Sequence, residues 1–152
     1  GDFPLTLILG DLDWFKRVND THGHHYGDLM LQEVARGLQA ALRRIDHICR
    51  IGGEEFALIL PHTAPPEAAE VMGRLLARPF AVALPAAQGG GTLAVTMSYG
   101  VVTYPEGGAD AFELYRKADA MLYLSKDGGR NRCHFWRDAE APKVLLPQPP
   151  AS

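Results

Sequence analysis

Two short apolar runs, Asp46–Ile51 and Phe56–Leu60, are separated by Gly52-Gly53-Glu54-Glu55. A glycine pair supplies the positive φ angles of a tight connection, so the two runs are predicted to close as a hairpin. A lone hairpin is marginal in water, so the rest of the chain must complete a sheet around it. Leu5–Leu9 is a first buried strand that runs into Gly10-Asp11-Leu12-Asp13. A loop rich in Asn, Asp, His and Gly is read from Asn19 to Gly27. A helix follows over Asp28–Arg44, with Leu31, Val34, Ala35, Leu38, Leu42 and Ile45 spaced by threes and fours.

Beyond the hairpin, Pro65-Pro66 opens a second helix, because proline suits a first turn. Phe80–Leu84 is a short strand candidate and Gln88–Gly91 a loop; Leu93–Tyr104 reads as one long strand. Asp110 and Glu113 have the spacing of a capping box for a third helix over Ala111–Lys126, which Gly128-Gly129 ends. Arg132–Trp136 is read as the last strand. The order strand, helix, strand, strand, helix, strand is the split βαβ plan. It predicts an α+β fold with a ferredoxin-like βαββαβ core, an extra hairpin, and a central antiparallel sheet flanked by helices. Residues 1–137 are assigned to one domain and residues 138–152 to a Pro-rich, mobile tail.

Composition narrows the function. The 152 residues suit one domain, and 47% hydrophobic against 22% charged residues can bury a core. Net charge is -3, which argues against binding long nucleic acid but not against a small phosphorylated ligand. Cys49 and Cys133 lie in strand-like runs and are read as buried thiols of a reducing, cytoplasmic setting. No apolar run reaches membrane-spanning length, so this segment is expected to make no membrane contact, though a longer protein could be tethered elsewhere.

The chemistry concentrates in two places. Asp11 and Asp13 end the first strand, and Glu54 and Glu55 sit at the hairpin turn. For either pair alone, a solvated turn is the better reading. In a ferredoxin-like sheet, however, strand and hairpin lie side by side, so the four can converge. Converging carboxylates without cysteine are hard ligands suited to Mg²⁺ held with phosphates. His22, His24 and His25 lack a cysteine or a second matched pair and are not read as a zinc site.

Five linked segments carry a resemblance. Arg50-Ile-Gly-Gly-Glu-Glu-Phe56 is similar to the GGEEF form of the signature that names the GGDEF family of diguanylate cyclases. Asp11-Leu-Asp-Trp-Phe-Lys16 resembles its DxDxFK segment, and Asn19–Asp28 its NDxxGHxxGD segment. Lys117–Tyr123 and Lys126–Asn131 resemble the KADxALYxAK and GRN elements. The resemblance covers about Leu5 to Phe135.

The resemblance implies two GTP molecules as substrate, cyclic di-GMP as product and inhibitor, two Mg²⁺ (or Mn²⁺) ions per active site, and a homodimer for catalysis. It also implies an upstream regulatory domain in a longer protein. By position, Asp11, the Leu12 carbonyl and Glu54 would hold metal, with Asp13 as support. Glu55 would sit beside the reacting hydroxyl, and Glu54, Glu55 and Lys16 carry the catalytic assignment. The backbone at Trp14, Phe15 and Lys16 would cradle the triphosphate, with Lys16, Lys126 and Arg130 neutralising it. Asn19 and Asp28 would read guanine, with His24 nearby. Arg43-Arg-Ile-Asp46 resembles the RxxD product-inhibition site, with Arg74 as its secondary arginine. A silent domain that only binds cyclic di-GMP or GTP is the non-enzyme alternative. Gly10 and Trp14 depart from the family pattern: Gly10 is expected to loosen the strand end and Trp14 to reshape the phosphate turn.

Overall fold

The computed structural model describes residues 3–148; Gly1, Asp2 and the last four residues of the Pro-rich tail lie outside the described residues. The elements run β1 (Leu5–Leu12), α1 (Phe15–His22), α2 (His24–Ala41), β2 (His47–Arg50), β3 (Glu55–Pro61), α3 (Pro65–Leu76), β4 (Phe80–Ala83), β5 (Thr92–Val95), β6 (Met97–Tyr104), α4 (Ala111–Asp127), β7 (Cys133–Phe135) and β8 (Lys143–Leu145). The main sheet has the order β2-β3-β1-β6-β7-β8, and β4 pairs with β5 alone. Its β2-β3-β1-β6 part is antiparallel throughout and is the ferredoxin-like core, with α4 as the crossover that makes β7 parallel to β6. The fold is therefore α+β as expected, with a sheet that is mixed rather than wholly antiparallel.

Two cores form because β1, β3 and β6 are covered on both faces. One joins Ile8, Leu58, Tyr99 and Val101 to the helices α1, α2 and α3 through Phe15, Met30, Val34 and Met72. The other joins Leu9, Ala57 and Val102 to Leu114, Ala118 and Leu122 of α4. Gly100 of β6 lets the α4 backbone lie directly on the sheet; a Cβ there would meet the Ala118 carbonyl and come within 2.9 Å of the Met121 carbonyl carbon.

Several expectations change. Asn19–Gly27 is not a loop: it is the end of α1 and the start of α2, which break only at Gly23 with φ 89°. Phe15 and Val18 anchor α1 in the core while its polar residues face outward, so a polar stretch still forms a helix. The helix expected over Asp28–Arg44 begins earlier and ends at Ala41, which leaves Arg43 in the following turn. Leu93–Tyr104 is two strands in different sheets, divided at Thr96. Gly10 does not loosen β1: the space beside it is taken by Met97 Cε, 2.8 Å from where a Cβ would be, and by the Tyr99 ring. Arg132–Trp136 is not the last strand, because Lys143–Leu145 of the supposed mobile tail pairs antiparallel with β7 as an edge strand. Cys133 is buried but Cys49, on the edge strand β2, is exposed. Among the described residues no helix is long and apolar enough to cross a membrane.

Candidate nucleotide and metal site

The register of the sheet sets the site. Asp11 is the partner of Glu55 across β1 and β3, and the Leu12 N–H donates to the Glu54 carbonyl at 3.1 Å. The Arg50 guanidinium holds the hairpin from inside, donating to the carbonyls of Gly52 (3.1 Å) and Gly53 (2.8 Å). That clamp is a role of the signature arginine that sequence reading had not assigned. Lys126, from the last turn of α4, reaches the Asp11 carboxylate at 2.6 Å.

Asp11, Glu54, Glu55 and Lys126 thus meet at one end of the sheet. Burial raises the Glu54 carboxyl above its ordinary value, and the Asp11 carboxylate adds to the rise, against the opposing pull of Lys126 and Arg130. Glu55 is raised for the same first reason, with Asp11 and Asp119 adding to it and Lys126 opposing. Crowded carboxylates, one of them already drawing a cation, fit a divalent ion with oxygen ligands. Among the described residues no group of three His, Cys, Asp or Glu side chains forms a closed metal nest, so such an ion would depend on the Leu12 carbonyl and on ligand phosphates.

Asp13 belongs to a different structure. Its carboxylate is buried and accepts from Thr96 Oγ1 (2.6 Å), Ser98 Oγ (2.6 Å) and the Asn131 N–H (2.9 Å), with Arg130 Nη1 at 3.9 Å. It is a clasp between the end of β1, the break between β5 and β6, and the loop after α4. The sequence assigned it to metal support; its lone pairs are spent on those donors instead.

Trp14 follows in the left-handed region, φ 60°, as the N-cap residue of α1. Its half-exposed indole lies between two guanidiniums, those of Arg17 and Arg130, each 4.1 Å from the ring centre. The turn at Trp14 is braced by this stack. The amides of Trp14, Phe15 and Lys16 open α1, so no carbonyl one turn earlier can satisfy them within the helix. A helix start with free N–H groups and two adjacent cations is an anion seat. Phe15 is buried as the anchor of that turn, and Lys16 is exposed.

Asn19, on α1, is brought against Gly27 of α2: a Cβ on Gly27 would run into Asn19 Oδ1. Asp28 is the next residue, exposed, in the second turn of α2 rather than at its N-cap, which is Gly23. His24 is exposed on the first residue of the same helix. Asn19 therefore packs directly on the α2 backbone because Gly27, the residue before Asp28, lacks a side chain. We expect Gly27→Ala to push the Asn19 amide away, part α1 from α2 and lower the melting temperature by several degrees. An unchanged melting temperature would mean that the two helices shift apart without cost.

At the other end of α2, Arg43 and Asp46 pair at 2.9 Å, and Arg43 Nη2 also donates to the Pro61 carbonyl (2.7 Å) and Thr63 Oγ1 (2.6 Å). The hydrogen bond to Asp46 holds the Arg43 pKa above its ordinary value. Arg74 Nη2 donates to the Ala41 carbonyl at 3.1 Å. The three side chains line one cavity of about 190 Å³ with Thr63, Glu67 and Glu70.

A ferredoxin-like sheet with carboxylates at the end of its central strand, a helix start for anions and a hairpin beside both defines the nucleotidyl cyclase class of domain. The family described as diguanylate cyclase, GGDEF domain, matches residues 1–132. The chain belongs to that family. It is 38% identical over 138 residues to the bifunctional diguanylate cyclase/cyclic di-GMP phosphodiesterase MucR of Pseudomonas aeruginosa, covering 91% of this chain and 20% of that protein. It is 39% identical over 131 residues to the response regulator PleD of Caulobacter vibrioides, covering 86% of this chain and 29% of PleD. Among solved structures it resembles the active GGEEF domain of a Vibrio cholerae diguanylate cyclase, with a TM-score of 0.75 and 31% identity over 90% of this chain and 85% of that one. It also resembles the GGDEF domain of DgcB from Caulobacter crescentus in complex with c-di-GMP, with a TM-score of 0.73 and 32% identity over 87% of this chain and 77% of that one. The chain spans well under half the length of these curated relatives.

Proposed function

We propose that this domain, working as a homodimer, joins two GTP molecules into cyclic di-GMP. Each half-reaction forms one bond from a ribose 3′-oxygen to an α-phosphorus and breaks one bond to pyrophosphate, so two pyrophosphates leave. The observation that carries the reading is the meeting of Asp11, Glu54, Glu55 and Lys126 beside the helix start at Trp14–Lys16. Asp11, Glu54 and the Leu12 carbonyl are the groups that would hold Mg²⁺ or Mn²⁺, two ions per site. When bound, these ions supply Lewis acidity at the α-phosphate and acidify the attacking hydroxyl.

The chain's own residues do the rest. The amides at Trp14, Phe15 and Lys16, with the cations Lys16, Lys126 and Arg130, fix the triphosphate in place. Asn19 and Asp28 read guanine, with His24 at the rim. A carboxylate accepts from guanine N1–H and N2–H₂, which adenine cannot offer, so ATP leaves Asp28 unmatched. Glu55 stands beside the attacking hydroxyl. A regulatory module in a longer, cytoplasmic protein would supply proximity between two domains.

Arg43, Asp46 and Arg74 would bind product and slow the enzyme. Arg43→Ala is expected to raise the cyclic di-GMP concentration for half-inhibition by at least about tenfold. It should also loosen the turn that Arg43 ties to Pro61 and Thr63. Unaltered inhibition in an assay over a range of product concentrations would place the inhibitory site elsewhere. The same cavity favours a second reading, a silent domain that binds cyclic di-GMP without making it.

The test is product analysis by mass spectrometry after incubating ligand-stripped protein with GTP and Mg²⁺, with ATP in parallel. Cyclic di-GMP from GTP alone is the expected result. GTP binding without product, even with two copies fused through a coiled coil, would overturn the cyclase reading in favour of the receptor.

A further inference from the structure

Thr63 lies in the turn between β3 and α3 and is buried. Both of its backbone groups are tied to the chain at the start of β1. Its N–H donates to the Pro4 carbonyl at 3.1 Å, and its carbonyl accepts from Thr6 Oγ1 at 2.8 Å. Thr6 Oγ1 in turn meets Thr103 Oγ1 of β6 at 3.0 Å. Thr63 is thus anchored to the middle strands of the main sheet.

Its hydroxyl is committed in both senses. Thr63 Oγ1 donates to the Pro61 carbonyl at 2.9 Å and accepts from Arg43 Nη2 at 2.6 Å. A threonine hydroxyl has a single proton, so no donor is left for a ligand. What the hydroxyl does is grip Arg43.

The Arg43 side chain is 51% exposed, and a long side chain so placed ordinarily keeps much of its rotamer freedom. Here one edge of its guanidinium is held throughout. Nε donates to Asp46 Oδ2 at 3.3 Å and Nη2 to Asp46 Oδ1 at 2.9 Å, while Nη2 also meets the Pro61 carbonyl and Thr63 Oγ1. Nη1 has no partner among the described residues. Its N–H groups are the donors left for the cavity that Arg43, Asp46, Thr63 and Arg74 line. An arginine fixed before its ligand arrives loses less freedom on binding, which strengthens the complex.

We propose that Thr63 is a positioning residue of the product cavity: its buried hydroxyl fixes the Arg43 guanidinium with Nη1 free for an acceptor atom of cyclic di-GMP, and does not itself bond the ligand. The proposal rests on the reading of that cavity as the inhibitory site.

The test is a double-variant cycle on the binding of cyclic di-GMP to the ligand-stripped full chain, read by calorimetry. Thr63→Val keeps the shape of the side chain and removes the hydroxyl; it is expected to raise Kd about fivefold. Thr63→Ser keeps the hydroxyl and should return Kd to the parent value. In an Arg43→Ala background Thr63→Val should add nothing, because the residue acts only through Arg43. A second readout needs no ligand. The NMR signal of the Arg43 Nε–H, assigned by its loss in Arg43→Ala, should exchange slowly with water in the parent and in Thr63→Ser, and faster in Thr63→Val. A valine variant that binds product like the parent or more tightly, a serine variant as weak as the valine one, or losses that add in the Arg43→Ala background would each overturn the proposal. Additive losses would mean that Thr63 touches the ligand or only props the turn. A parent that binds no cyclic di-GMP, while Thr63 still protects its Arg43 signal, would overturn the inhibitory reading and the purpose of the tie with it.

Discussion

Glu54→Gln is expected to abolish product formation and, at neutral pH, to raise thermal stability. The two effects have one origin. Burial and the adjoining Asp11 carboxylate raise the Glu54 pKa above its ordinary value of 4.5. A raised acid binds its proton more tightly in the folded chain than in the unfolded one. Its ionisation therefore opposes folding, with the full penalty above the folded pKa and none below the unfolded one. Replacing it by a neutral amide removes the penalty at neutral pH. The gain in melting temperature should fade as pH falls through the folded value towards 4.5, where Glu54 protonates in the parent as well. The charge that strains the fold is also the charge a divalent ion needs, so turnover should fall by at least about a thousandfold. Mg²⁺ should raise the melting temperature of the parent more than that of the variant. A variant that still makes cyclic di-GMP, or that melts below the parent at neutral pH, would sink this account.

Asp13→Ala should be the most damaging single change to stability near the site, costing ~3 kcal/mol or more in urea unfolding. The carboxylate is buried and serves Thr96, Ser98 and Asn131, with Arg130 close by. Its removal strands the buried Ser98 hydroxyl, takes the acceptor from the half-buried Thr96 hydroxyl and Asn131 N–H, and leaves a guanidinium without its counter-charge. The slope of the unfolding curve should stay the same while the midpoint falls. Arg130 and the loop after α4 should also drift from the Trp14 ring, which a change in tryptophan emission would report. A loss below about 1 kcal/mol would show that those donors find other partners, and the clasp would then not matter.

The strands, the signature hairpin and α3 and α4 were legible because each has a local mark: alternating or continuous apolar runs, paired glycines, a proline pair, and Asp110 with its N-cap bond to the Glu113 N–H. The carboxylates of the site were legible because Asp11 and Glu54 adjoin strand ends whose pairing the fold class fixes. What was hidden depends on distant partners. Nothing local tells Asp13 from Asp11; only the approach of Thr96, Ser98 and Asn131, more than eighty residues away, turns one inward and leaves the other to Lys126. The break at Thr96 has the same origin, since the Asp13 N–H bonds its carbonyl at 2.9 Å. The polar composition of α1 masked a helix whose two core anchors are Phe15 and Val18. The stretch around β8 has the look of a tail, and only the open edge of β7 gives it a place in the sheet.

The position of β1 between β3 and β6 carries a consequence for how the chain is made. The first strand of this domain needs Met97–Tyr104 as its second neighbour, along with Asn131 to close the Asp13 clasp. Contacts of such long sequence separation form late and fold slowly. A growing chain thus holds Leu5–Leu12 with one edge unpaired until β6 emerges, a sticky intermediate of the kind that holdase chaperones shield. Closure of the Asp13 clasp then arrives all at once with the last elements of the domain, so truncated chains ending before α4 should lack the stack of Arg130 on Trp14 and show the tryptophan emission of an unpacked indole.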